Sequence, residues 1–246
     1  NGRTDATNCI FDVNSAGHVG GAMYLYYSAD TITDCTFTGN VAIDAGGGAI
    51  YRDQGTAAGT ISGCLFRNNT VGSNGGAVKQ SLGSLNVHNC TFEGNTAGNR
   101  GGAIHHDGSS ESITDCVFIG NEADVDGGAV LLDEGCSPMI SGCTFHGNEA
   151  VGYGGALGCF DGSSPTMINN ILTDNHADIG GGAAYFFHNS DAVLANLTFY
   201  SNTAGSSGGA VYIDNSLVSI TDCILWDDSA PSWPEVHDIN NQVQIN

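Results

Sequence analysis

The chain has 246 residues, with 26 acidic side chains against 5 basic ones and a net charge of −21. That balance excludes nucleic acid as a partner, because phosphate binding needs a basic face, and argues against docking on anionic lipid. Glycine is abundant (37) and proline scarce (4), so the glycines serve recurrent turns and not a collagen-like or disordered chain, and no apolar run approaches the ~20 residues of a membrane span.

The chain begins at Asn1 without a methionine and reads as a processed product or a piece of a longer one. From there one unit recurs. Gly-Gly-Ala is written eight times, ending at Ala22, Ala49, Ala77, Ala103, Ala129, Ala156, Ala183 and Ala210, at intervals of 26 to 28 residues. A fixed period of this size means one supersecondary unit stacked on copies of itself. Ahead of each Gly-Gly-Ala stands Cys-x-Phe-x-x-Asn, first at Cys9, Phe11 and Asn14. Cys35, Cys64, Cys90, Cys116 and Cys143 repeat it, with Phe37, Phe66, Phe92, Phe118 and Phe145 and with Asn40, Asn69, Asn95, Asn121 and Asn148. Later copies degrade through Asn170, Leu197 and Cys223.

The Cys and Phe positions alternate with the period of two that a strand imposes. Apolar residues after Ala, such as Ile50 and Val130, mark a second strand, and runs such as Ser112-Ile113-Thr114 a third. Three short strands per ~27 residues without helical periodicity predict an all-β parallel β-helix of eight to nine rungs over 1–228, with like residues stacked at ~4.8 Å. Residues 229–246 read as the start of a further rung or as an extended tail. The residue before each Cys position is always Gly, Asn or Asp, from Asn8 and Asp34 to Asp222, which predicts a left-handed turn there in every rung. The Asn column predicts inward amides that hydrogen-bond from rung to rung.

Cysteines in a straight column are predicted to be free, buried thiols, since ~4.8 Å is too wide for a disulfide. Cys136 and Cys159 fall outside the column on adjacent rungs and form the one candidate disulfide. The best candidate site lies just after Gly-Gly-Ala on rungs two to five: Arg52, Lys79, His105, His106, Asp107 and Asp133, with Tyr51, Asp53 and Gln80 beside them. Arg52, Gln80 and His106 occupy a column that elsewhere holds Leu25, Leu132, Phe186 and Ile213, a local inconsistency of the kind that marks a site. Solvated side-chain ladders explain the same residues without function. Asp44, Asp124, Asp126 and Asp178 recur in the loop before Gly-Gly-Ala and are candidate Ca²⁺ ligands; no other cofactor is implied. Glycosylation sequons stand at Asn68, Asn89 and Asn196. Tyr24, Tyr51, Tyr185 and Tyr212 form a partial exposed column, for which packing of solvent-facing tyrosines from rung to rung is the favoured account; with Tyr26 and Tyr27, stacking on sugar rings or on a partner surface is the alternative.

Gly-Gly-Ala-[Ile/Leu/Val] paired with Phe-x-x-Asn resembles the repeats of the polymorphic outer-membrane protein family over residues 9 to 228. The close of the chain, Cys223-Ile-Leu-Trp226 then Ser229-Ala-Pro231, is similar to secreted bacterial right-handed β-helix repeat proteins. The resemblance implies a right-handed coil and an extracellular or cell-surface location more than an activity. The chain is expected to be a non-enzymatic solenoid with a structural, adhesive or fibre-forming role, its open ends carrying unpaired strand edges that favour end-to-end self-association, and a glycan or neighbouring surface is the other candidate partner. The alternative is a polysaccharide lyase or glycoside hydrolase, since β-helix enzymes set catalytic groups on an exposed strand face.

Overall fold

The computed structural model describes residues 3–54, 58–108, 112–239 and 243–245. Each strand pairs in parallel with the equivalent strand one rung before and one rung after, never with a strand of its own rung. The chain therefore coils through four sheets in turn, of ten, nine, eight and nine strands. Sheet 1 runs from Asp5–Thr7 to Gln244–Ile245, sheet 2 from Ile10–Asp12 to Ile224–Trp226, and sheet 4 from Met23–Tyr26 to Val236–Asp238. Sheet 3 is the strand class that sequence pattern does not predict. Its members, such as Val41–Ala42 and Thr96–Ala97, are two residues long, too short to show alternation, so three expected strands per rung become four. Among the described residues no helix is long and apolar enough to cross a membrane.

Each letter of Gly-Gly-Ala has its own cause. The first glycine lies in the left-handed region in all eight copies, from Gly20 (φ +59°) to Gly75 (φ +72°) and Gly208 (φ +64°). At the second, a Cβ would meet the next rung's backbone: at Gly48 it would lie 2.0 Å from the Gly76 carbonyl oxygen. The alanine points into the core, where Ala49, Ala77 and Ala103 are wholly buried. Before the Cys column, the Gly, Asn and Asp residues from Asn8 to Asp222 all have φ between +52° and +66°, the left-handed turn those residue types tolerate.

Inside the coil, the phenylalanines from Phe11 to Phe145 stack with ring centroids 4.7–4.9 Å apart and planes within 7°. Stacked rings contribute about 0.5–1.5 kcal/mol per pair beyond their burial. The asparagines form a continuous chain of amides. Asn69 donates from Nδ2 to Asn95 Oδ1 (2.9 Å) and to the Phe37 carbonyl (3.0 Å), while its own Oδ1 accepts the backbone N–H and Nδ2 of Asn40. The thiol column does the same work more weakly. Cys64 Sγ accepts the Cys35 N–H at 3.3 Å and donates to the Ser62 carbonyl at 3.2 Å. That dual role explains Asn170 as a replacement: its Oδ1 accepts the Cys143 N–H at 2.8 Å and its Nδ2 donates to the Ile140 carbonyl at 2.9 Å. Of the 229–246 segment, Val236–Asp238 adds a strand to sheet 4 and Gln244–Ile245 one to sheet 1.

Candidate functional site

Strand alternation divides the predicted constellation into two groups on opposite faces of sheet 4. Arg52, Gln80 and His106 lie in direct register with Leu25 and Leu132 and point inward, at 1%, 0% and 0% exposure. They are not on the exposed rung face where the sequence reading put them, because the period of two carries every second residue into the core. Arg52 donates from Nε to Asp30 Oδ2, from Nη1 to Gln80 Oε1 and the Ser84 carbonyl, and from Nη2 to the Ser28 carbonyl, each at 3.0 Å. Gln80 Nε2 donates in turn to the Leu82 carbonyl. The guanidinium fits because Gly59 faces it: a Cβ there would stand 2.9 Å from Arg52 Nε. This cluster is an internal ion pair sealed from any ligand.

Lys79, His105, Asp107 and Asp133 point outward. Sequence reading took Asp126 only as a candidate Ca²⁺ ligand and missed Arg100 and Tyr153, which complete this face with it. Arg100, Asp126 and Tyr153 occupy one repeat slot, immediately before Gly-Gly, and that shared slot was the available signal. They form a ridge beside sheet 4. Arg100 reaches from the ridge with Nε 3.2 Å from Asp126 Oδ2, Nη1 3.6 Å from Asp133 Oδ2 and its Cζ 4.7 Å from the Phe160 ring centroid. The Lys79 stem packs over Gly46, and its ammonium lies 5.9 Å from the Tyr51 ring. Burial pushes the Lys79 pKa down against the pull of Asp107, Asp53, Asp133 and Glu134. His105 is buried, its Nδ1 has no partner, and burial with Lys79, His106 and Arg100 nearby holds it neutral, well below the usual histidine range. Burial raises Asp133, and the neighbouring Asp107 raises the exposed Glu134.

Aromatic groups flank this charged centre on both sides. Toward the N-terminal rungs, Tyr24 stacks on Tyr51 (5.6 Å, 10°) and on Tyr26 (6.1 Å), and Tyr27 meets Tyr26 edge-on at 4.5 Å. Tyr24, Tyr26 and Tyr27 are exposed. Toward the C-terminal rungs, Tyr153 stacks on Tyr185 at 4.4 Å, with Phe160, Phe187 and Tyr212 around them. Tyr185 is buried in that cluster, so it does not belong to an exposed column with Tyr24. Gly158 leaves the space that the Phe160 ring fills.

The other predicted groups scatter. Cys136 and Cys159 are both buried and not joined to each other, so the expected disulfide is not formed. Cys136 Sγ donates instead to the Asp133 carbonyl (3.0 Å), and burial, then Cys136, pushes the Cys159 thiol well up. A thiol reagent added to the native chain is expected to reach only the half-buried Cys9 and Cys223, and all nine thiols after denaturation; mass spectrometry of the adducts checks this. Asp126 is engaged by Arg100 and by the Tyr153 N–H (3.0 Å), whereas Asp124 is exposed; among the described residues no three His, Cys, Asp or Glu side chains converge to hold a metal ion. Asn68, Asn89 and Asn196 are exposed at left-handed turns.

No curated protein and no solved structure matches the chain. The family model described as "Right handed beta helix region" matches residues 1–170 and again 102–232. Read with the four parallel ladders, that match over most of the sequence means that the chain belongs to the right-handed β-helix family.

Proposed function

We propose that this protein is a non-enzymatic extracellular β-solenoid with an adhesive role, and that the outward face of sheet 4 docks a neutral, elongated glycan. The observation that carries the reading is the order of groups on that face: exposed tyrosines, a hydrogen-bonding charged centre, then a second aromatic cluster. Aromatic faces stack on sugar rings, and carboxylates and guanidinium exchange hydrogen bonds with hydroxyls. A neutral ligand is favoured because the cations are already matched. Arg100 is tied to Asp126 and Asp133, and carboxylates surround Lys79, on a chain of net charge −21. The resemblance to polymorphic outer-membrane repeats supports a surface location.

The test is affinity electrophoresis and calorimetry against neutral and acidic polysaccharides. Neutral polymers are expected to bind, and Tyr24→Ala and Tyr51→Ala to weaken binding by about five- to tenfold each, the worth of one stacking contact. Equal binding by both variants sinks the reading. Catalysis is the second reading, favoured by the Asp107–Glu134 carboxyl pair beside a lysine of lowered pKa. New reducing ends or unsaturated products from any polymer, lost in Glu134→Gln, would establish it instead.

A further inference from the structure

The asparagine column changes chemistry once. Seven asparagines, Asn40 to Asn202, each donate to the rung ahead, and the position that receives from Asn202 is an acid, Asp228. Asp228 Oδ1 serves as the amide oxygens do, accepting the Asn202 backbone N–H and its Nδ2, both at 2.7 Å. An asparagine would then donate onward from its nitrogen. Asp228 has a second oxygen there, Oδ2, buried without a partner in a side chain only 4% exposed. The Glu235 side chain meets Asp228, and its Oε2 is likewise buried without a partner.

Two carboxyl groups in contact, each with a buried oxygen that no donor reaches, cannot both be ionised. We propose that Asp228 and Glu235 share one proton, and that this proton latches the rung of residues 229–239 onto the stack, so that the rung loosens when the proton is lost. Glu235 lies where such a latch acts on the fold. Its carbonyl accepts the Ala210 and Val211 N–H groups at 3.0 Å, leading directly into the pairing of Val211 with Val236. The charged or polar groups facing the pair are Asn202, which favours a negative Asp228, the Trp226 backbone, and Asp227, whose charge opposes a negative Glu235. Burial, then Asp228 and Asp227, push Glu235 up to about 7. A raised carboxyl stabilises the fold in its protonated form, so the latch is closed in acid and opens as the pH rises through that value.

Hydrogen exchange of the Ala210 and Val211 amides and of peptides from 229–239, measured from about pH 5 to about pH 8.5 and corrected for intrinsic base catalysis, reads the latch. Protection in the unaltered chain is expected to fall by roughly tenfold or more across neutrality. Asp228→Asn restores the column's own residue, whose nitrogen donates to Glu235, and is expected to keep protection flat with pH. Glu235→Gln, donating in the opposite direction, is expected to do the same. A flat profile in the unaltered chain overturns the proposal, and so does a profile that survives both substitutions. Protection restored at high pH by Ca²⁺ would assign the gap to a cation and overturn the shared proton.

Discussion

Replacing Asp30 by alanine is expected to destabilise the chain by about 3–5 kcal/mol, because it leaves the Arg52 guanidinium charged, 1% exposed and without its counter-ion. Its other partners among the described residues include Gln80 Oε1 and two carbonyls, which satisfy N–H groups but do not neutralise the charge. Arg52→Leu together with Asp30→Asn should behave quite differently. Leucine already fills the same inward column at Leu25 and Leu132, and replacing a buried ion pair by apolar packing ranges from neutral to stabilising. Urea unfolding followed by circular dichroism measures both. An Asp30→Ala variant within about 1 kcal/mol of the parent, less than the net worth of a hydrogen bond to a charged group, would show that the pair does not hold the rungs together.

Gly128→Ala is expected to be the second large effect, about 3 kcal/mol or more, and to unseat the rungs on either side. The added Cβ would lie 2.1 Å from the Gly155 carbonyl oxygen and 2.5 Å from that of Glu149, both backbone atoms with no flexible end to yield. Gly120→Ala is the control. Gly120 has φ +57° and open space around it, so alanine there meets only the left-handed penalty of about 1–2 kcal/mol. Thermal unfolding of the two variants separates close approach from backbone strain. Equal losses would mean that the second glycine of each Gly-Gly-Ala is conformational in origin and not a point of contact between rungs.

The architecture was legible because period and residue type agree in every rung. Cys35, Phe37 and Asn40 recur at Cys64, Phe66 and Asn69, and only a parallel stack puts like on like at such spacing. Sheet 3 was not legible, since strands such as Val41–Ala42 are too short to carry a pattern. On sheet 4 the reading found the right strands and then ignored their alternation. Tyr51 and Arg52 are neighbours in sequence, but one faces outward and the other is sealed in the core. Arg100 and Tyr153 escaped notice because they stand on the ridge, in a slot where residue type varies from rung to rung. Phe160 required geometry, since only the bare Gly158 beside it gives its ring a place to lie.

The amide column also has a direction. Every Nδ2 from Asn14 to Asn202 points to an oxygen one rung nearer the C-terminus, so the amide dipoles add along the axis and do not cancel. The solenoid thus carries an internal electric polarity, with the positive pole of the series directed at residue 228, by the same summation that polarises an α-helix. A negative side chain at that pole is electrostatically favoured, which places the anion on Asp228 and leaves Glu235 as the partner that holds the hydrogen.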